Sequence, residues 1–160
     1  MHATKIFSSL ALAFLLAGCA PYSALQPGAS REEAVARYGA PSRVVPLDAG
    51  TRLQYSRQPA GQTAVMVDLD AAGRVVAVRQ VLNAQEFSKI EVGRWTQGDV
   101  ERAFGPPAFV DRVSSWPGNI MNYRWLDNYQ NMLFWVYLDD RNVVQRTGQG
   151  IEFPLEMPER

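Results

Sequence analysis

The feature that most constrains this chain is that it repeats itself. The stretch Ser30-Arg-Glu-Glu33-Ala-Val-Ala-Arg-Tyr38-Gly39-Ala-Pro41 returns as Thr96-Gln-Gly-Asp99-Val-Glu-Arg-Ala-Phe104-Gly105-Pro-Pro107. Each copy opens on a hydroxyl, places an acid three residues on, and closes on aromatic-Gly-x-Pro. A hydroxyl followed at that spacing by an acid satisfies the free N–H groups of a helix start. Glycine is a natural C-cap, and the proline forbids further helix. The spacing predicts a helix of about two turns in each copy. Further on, Val67-Asp-Leu-Asp70-Ala-Ala-Gly-Arg-Val-Val76 matches Val136-Tyr-Leu-Asp139-Asp-Arg-Asn-Val-Val144, with one residue fewer. Apolar alternation on either side of a polar turn reads as a hairpin. Another strand is expected before each hairpin, over Thr51–Arg57 and Asn119–Asp127, with Leu53 aligned to Tyr123 and Tyr55 to Trp125. The expectation is an α+β protein of two tandem repeats, residues 27–88 and 89–150. Each is a short helical segment followed by a three- to four-stranded antiparallel sheet, and 151–160 form a tail. One such unit buries both faces of its sheet poorly, and two side by side bury more.

The N-terminus carries an address. After the lysine at Lys5, residues Ile6 to Ala17 are apolar except for Ser8 and Ser9. That run is shorter than the roughly 20 residues a bilayer span needs and matches the core of a secretory signal. It ends in Leu16-Ala17-Gly18-Cys19, which resembles the lipobox of bacterial lipoproteins. The resemblance implies a signal peptide over 1–18, acylation of the Cys19 thiol, and a lipidated tether over 19–26. The competing reading is an ordinary secretory signal with a chance cysteine. Cys19 is the only cysteine, so no disulfide forms within the chain. A single acyl chain binds a membrane marginally and two or more anchor stably; the lipoprotein family carries two or three. Ala20 lacks the acidic side chain that would resemble an inner-membrane retention signal, so the expected location is the periplasmic face of the outer membrane.

The helix ending in Gly-x-Pro, the Tyr- or Trp-bearing strand and the hairpin around Asp70 or Asp139 together resemble the SmpA/OmlA (BamE-like) domain of outer-membrane lipoproteins. Their tandem arrangement is similar to the beta-lactamase inhibitor protein (BLIP) architecture. The SmpA/OmlA (BamE-like) family typically has one such unit where this chain has two, so no binding residues carry over. The resemblance implies a non-catalytic protein-binding module, an accessory in outer-membrane protein assembly or envelope integrity whose partner is another envelope protein. The alternative it implies is a BLIP-like inhibitor of a periplasmic enzyme.

Composition narrows the chemistry. His2 is the only histidine and falls within the expected signal. Ser-His-Asp and Cys-His catalysis and ordinary zinc sites therefore lack their residues in the mature chain. No cofactor, metal or catalytic group is expected. Asp68-x-Asp70-x-x-Gly73 has the opening of a calcium loop, but the twelfth position holds Arg79 where a bidentate glutamate is needed. A hairpin turn with adjacent acids accounts for it. Paired carboxylates could still serve a hydrolase, a third and weaker reading. The net charge is zero. Of the 16 basic residues only Lys5 leaves with the signal, so 15 face 16 acids and a nucleic-acid partner has no cationic excess to bind.

All four tryptophans lie in the second copy, at Trp95, Trp116, Trp125 and Trp135. Period-two alternation puts Phe134, Val136 and Leu138 toward the core and Leu133, Trp135 and Tyr137 on the opposite face. Asn122 and Arg124 of the neighbouring strand share that second face. An exposed aromatic patch with an arginine has the composition of a protein-binding hot spot, which makes these five the candidate partner-binding residues. The competing expectation is that the face is buried against the other sheet or the tail.

Overall fold

In the computed structural model of the protein, residues 25–153 are described. The expected signal peptide, Cys19, most of the tether and the tail from residue 154 lie outside them. The described chain is α+β, with two four-stranded antiparallel sheets and few helices. Helix α1 (Arg31–Tyr38) precedes β1 (Arg43–Leu47), β2 (Gly50–Ser56), β3 (Ala64–Asp70) and β4 (Val75–Gln80). A one-turn helix α2 (Ala84–Phe87) follows, then α3 (Gln97–Phe104). The second sheet comprises β5 (Phe109–Asp111), β6 (Ile120–Asp127), β7 (Gln130–Leu138) and β8 (Val144–Ile151). Both sheets are simple meanders, each strand pairing with the next.

Helices of eight residues are marginal alone and depend on caps and packing. Both long helices have the same reciprocal box. Glu33 N–H donates to Ser30 Oγ and Ser30 N–H to the Glu33 carboxylate, at 3.2 and 2.6 Å. Asp99 N–H donates to Thr96 Oγ1 and Thr96 N–H to the Asp99 carboxylate, at 3.3 and 2.9 Å. At the other end Gly39 and Gly105 have φ of 84° and 81° with extended ψ, a region essentially reserved for glycine. Their N–H groups donate to the carbonyls of Val35 and Glu101.

The two hairpins are built alike. Asp70 Oδ1 accepts from Ala72 and Arg74 N–H, and Asp139 Oδ1 from Arg141 and Val143 N–H, each at 2.9 Å. Gly73 and Asn142 both take positive φ in these turns. A bulge falls between Asp68 and Leu69 in one sheet and between Tyr137 and Leu138 in the other. Two expectations need correction. The hairpins have equal length, since Leu69 faces Val75 and Leu138 faces Val144. The strands before them align two residues away from the expected match. Leu53 pairs with Val67 where Met121 pairs with Val136, so Leu53 corresponds to Met121, Gln54 to Asn122 and Tyr55 to Tyr123. A shift of two keeps every side chain on its face, which is why alternation alone did not expose it.

The layers stack as α1, first sheet, α3, second sheet. Ala34 of α1 packs with Leu53, Val67, Leu69 and Val75, and the Tyr38 and Tyr55 rings meet at 5.2 Å. The opposite face of the first sheet gives Ala64 and Met66 to a larger core. There they meet Val100 and Phe104 of α3 and the inner face of the second sheet, including Tyr123, Trp125, Phe134 and Val136. The short helix α2 was not expected. Its Phe87 stacks on Phe134 at 3.9 Å and meets Trp125 edge-on at 5.6 Å, so the segment between the sheets is part of the core. Fully burying a side chain of this kind contributes about 1.5–3 kcal/mol.

Polar contacts also fasten α3 to the first sheet. The Gln54 amide, fully buried, donates to the Glu101 and Arg102 carbonyls at 2.9 and 3.1 Å. Arg52 donates to the Arg102 carbonyl at 3.1 Å and grips the Asp68 carboxylate with two further N–H groups. Arg43 pairs with Glu101 at 2.9 Å. Replacing Gly39 or Gly105 by valine should lower stability by on the order of 1 kcal/mol or more. Gly105→Val should cost more, because a Cβ there lies 3.5 Å from that of Ser56, while nothing lies within 4 Å of one at Gly39. Denaturant midpoints that stay put in both variants would remove the cap assignment.

Candidate partner-binding face

The outer face of the second sheet collects alternate residues of four strands. Cross-strand pairing sets Asn122 opposite Trp135, Arg124 opposite Leu133 and Ile120 opposite Tyr137. On the other side of β7, Leu133, Trp135 and Tyr137 stand opposite Gly150, Gly148 and Arg146. The five residues singled out from the sequence therefore do share one face. Their exposure differs from the expectation. Leu133, Trp135, Tyr137 and Arg124 are half-buried. Asn122 is only 1% exposed, and this corrects its place among the accessible residues. Its amide donates to the Ile120 carbonyl at 3.0 Å and to Asp111 Oδ2 at 3.2 Å, so it forms the floor of the face.

The Trp135 ring lies against β8 because β8 offers glycine there. A Cβ on Gly148 would come within 3.3 Å of the ring, and one on Gly150 within 2.7 Å, closer than carbon atoms approach. Tyr137 is sandwiched differently. The Arg146 guanidinium sits 4.0 Å from its ring centre, and Trp116 meets it edge-to-face at 5.2 Å. Trp116 is fixed by an N–H donated to the Leu138 carbonyl at 2.6 Å. At the other end Arg124 is fully engaged. It pairs with Glu152 at 2.6 Å, donates to the Pro59 carbonyl at 2.7 Å and lies over the Phe109 ring at 5.7 Å. The Gln58 side chain brackets the backbone of Arg124, donating to its carbonyl and accepting from its N–H. Strand β5 is too short to pair there, and Gln58 closes the exposed edge that results.

The outcome is two buttresses, Trp116–Tyr137–Arg146 and Arg124–Glu152, with the row Phe109–Asn122–Trp135 between them. Sequence reasoning missed Phe109, Trp116, Arg146 and the two glycines. The glycines were legible in principle. Arg146-x-Gly148-x-Gly150 alternates small residues opposite two large aromatics, which is how a flat ring finds room on a sheet.

Carboxylates elsewhere on the described chain are drawn into structure. Backbone N–H bonds lower the pKa of Asp99 at its cap and of Asp139 at its turn. At Asp68 burial pushes the carboxyl up, but the hydrogen bond and charge of Arg52, aided by Arg79, hold it below the usual range. The Arg79 that stands where a calcium loop needs glutamate is thus a partner of Asp68, at 3.3 Å. Among the described residues no cluster of His, Cys, Asp or Glu could hold a metal ion, and no helix is long and apolar enough to cross a membrane.

No family model matches this chain, and no curated protein matches it. Two solved structures are similar to it. One is a DUF4309 family protein from Bacillus subtilis, at 14% identity and a TM-score of 0.34 over 77% of this chain and 78% of that one. The other is an extracellular protein containing an SCP domain from Bacillus anthracis, at 14% identity and a TM-score of 0.33. That match covers 89% of this chain and 50% of the other. Likenesses this distant assign neither a fold family nor an activity.

The face and the core predict different responses to truncation. Trp125 is buried beneath Phe87, so Trp125→Ala should cost about 3–5 kcal/mol. Trp135→Ala removes a half-buried ring from the outer face and should stay within about 2 kcal/mol. Equal large losses in thermal melts of the two variants would show that Trp135 is a core residue.

Proposed function

We propose that this chain is an envelope lipoprotein, held on the membrane by lipid on Cys19, that acts as a non-catalytic protein-docking module through the outer face of its second sheet. One observation carries the reading. The corresponding face of the first sheet is covered by α3, whereas on the second no described helix takes that place and only Trp116, Pro59 and Glu152 meet it at its margins. That uncovered face holds rigid aromatics, which bury large areas at little entropic cost and dominate protein interfaces. A helix ahead of each sheet supports the likeness to the SmpA/OmlA (BamE-like) domain and to the BLIP arrangement. Signal peptide, tether and anchor belong to the same proposal, with Ala20 favouring the outer membrane and its periplasmic face. The binding partner is an envelope protein, and nucleic acid is not one.

Membrane partition tests the anchor. Cys19→Ser should abolish incorporation of labelled fatty acid and move the protein from the membrane to the soluble fraction. Continued membrane partition of that variant would end the lipoprotein reading.

A further inference from the structure

We infer that the outer face of the second sheet seats helix α1 of a second copy of this chain, so that copies stack head to tail. The inference rests on the docking reading above and names its occupant. The template lies inside the molecule. The far face of the first sheet already seats a helix, α3, along the row Arg43–Gln54–Met66. Arg43 pairs with Glu101, Gln54 caps the Glu101 and Arg102 carbonyls, and Met66 lies 3.7 Å from where a Gly105 Cβ would be.

Each part of this joint has a counterpart at the ends of the molecule. On the helix side, the shared capping box and closing glycine align α1 with α3. Glu101, Arg102 and Gly105 therefore correspond to Val35, Ala36 and Gly39, all three exposed. Gly105 is buried on the first sheet, while the space over Gly39 is open. On the sheet side, strand register aligns Arg43 with Phe109, Gln54 with Asn122 and Met66 with Trp135. Phe109 and Trp135 are the accessible members of this row, and the buried Asn122 between them is its floor.

The decisive match is at the ion pair. Where the internal joint has Arg43 facing Glu101, the external one would have Phe109 facing Val35. Both are apolar, and both are large hydrophobics left 37% and 36% exposed. Replacing one partner of an ion pair by an apolar group strands the other's charge, whereas replacing both keeps a complementary contact. The change is made on both sides here, by residues 74 positions apart in the chain. Such a contact is heterologous: the two surfaces differ and each copy keeps one of each free, so association propagates instead of closing on a dimer.

Cross-linking in membranes tests this with the intact lipoprotein. Two differently tagged copies are expressed together, one Val35→Cys and the other Phe109→Cys. Cys19, the only native cysteine, is acylated in the mature protein, so the introduced thiols are the reactive ones. A disulfide requires Cα atoms within about 7 Å, closer than two long paired side chains hold theirs, so a flexible bis-maleimide serves as the bridge. The mixed pair should cross-link with it, and neither variant should cross-link with itself. A charge swap adds a rescue. Val35→Glu alone and Phe109→Arg alone should each weaken self-association in detergent by about tenfold, measured by sedimentation. Together they rebuild the internal ion pair and should recover affinity to within about threefold. Absence of the mixed cross-link, or a double variant no tighter than either single one, would overturn the inference. A photoreactive side chain at Trp135 then separates the two failures. Capture of a different protein there overturns self-stacking and leaves the docking reading in place. Capture of nothing overturns both.

Discussion

Everything in this structure depends on α3 being shared. A small sheet has two apolar faces to cover, and an eight-residue helix covers one. Two separate helix-and-sheet units would leave two sheet faces wet. Packing α3 between the sheets lets one helix serve both, with Val100 and Phe104 in the common core and its backbone carbonyls on the first sheet. The cost is polar. The side of α3 that meets the first sheet presents the last carbonyls of the helix: that of Glu101 accepts from the capping Gly105 N–H, and that of Arg102 falls four residues before Pro106, which has no N–H to give. Gln54 and Arg52 supply donors there, and Asp68 holds Arg52 in place. A buried amide and a paired guanidinium at that joint fix where α3 sits along the sheet, which apolar contacts alone would specify less sharply.

The joint is not perfectly satisfied. Gln54 Oε1 is buried without a hydrogen-bond partner, as are Tyr55 Oη and Trp125 Nε1. For Gln54 the arrangement follows from stoichiometry. Its amide nitrogen serves two carbonyls of α3, and its oxygen is left facing Gly105, 3.8 Å from where a Cβ would lie. Tyr123, at the position equivalent to Tyr55, is fully buried, and burial drives its pKa well above the usual value; its hydroxyl donates to the Gly105 carbonyl at 2.9 Å. Both ends of α3's closing turn are thus bonded from the sheets on either side.

Much of this is legible in the sequence. The helix starts, both C-cap glycines, both hairpins and the faces of β6 and β7 follow from spacing and alternation, because these are local constraints with short sequence signatures. What escaped was of two kinds. The strands Arg43–Leu47 and Phe109–Asp111 and the short helix at Ala84–Phe87 have too few residues to establish a period, and their places are set by what they pair with or pack on. The depth of the outer face also escaped. Alternation says that Asn122, Trp135 and Arg124 share a side, but not that Asn122 is covered while Arg124 is engaged by Glu152 and the Pro59 carbonyl. Those contacts come from segments distant in sequence, and only the folded chain brings them together. The two-residue offset between the copies' second strands belongs here as well, since parity is blind to even shifts.

The two equivalent sheet faces show how one architecture yields a packed joint on one sheet and an outward face on the other. Gln54 is long enough to reach the carbonyls of the helix above it. Asn122, at the same lattice point, is shorter by one methylene, and its amide is spent on the Ile120 carbonyl and Asp111 within its own sheet. Arg52, the second donor to α3, corresponds to Ile120, which has no N–H to offer from its side chain. Met66 and Arg79 correspond to Trp135 and Gly148, a ring and the space it lies in. At each point the polar device that fastens α3 on the first sheet is replaced on the second by apolar surface or by a polar group satisfied within the sheet. A face built this way remains in water without stranded donors. The inner joint is specified by directional bonds, whereas the outer face offers area and shape.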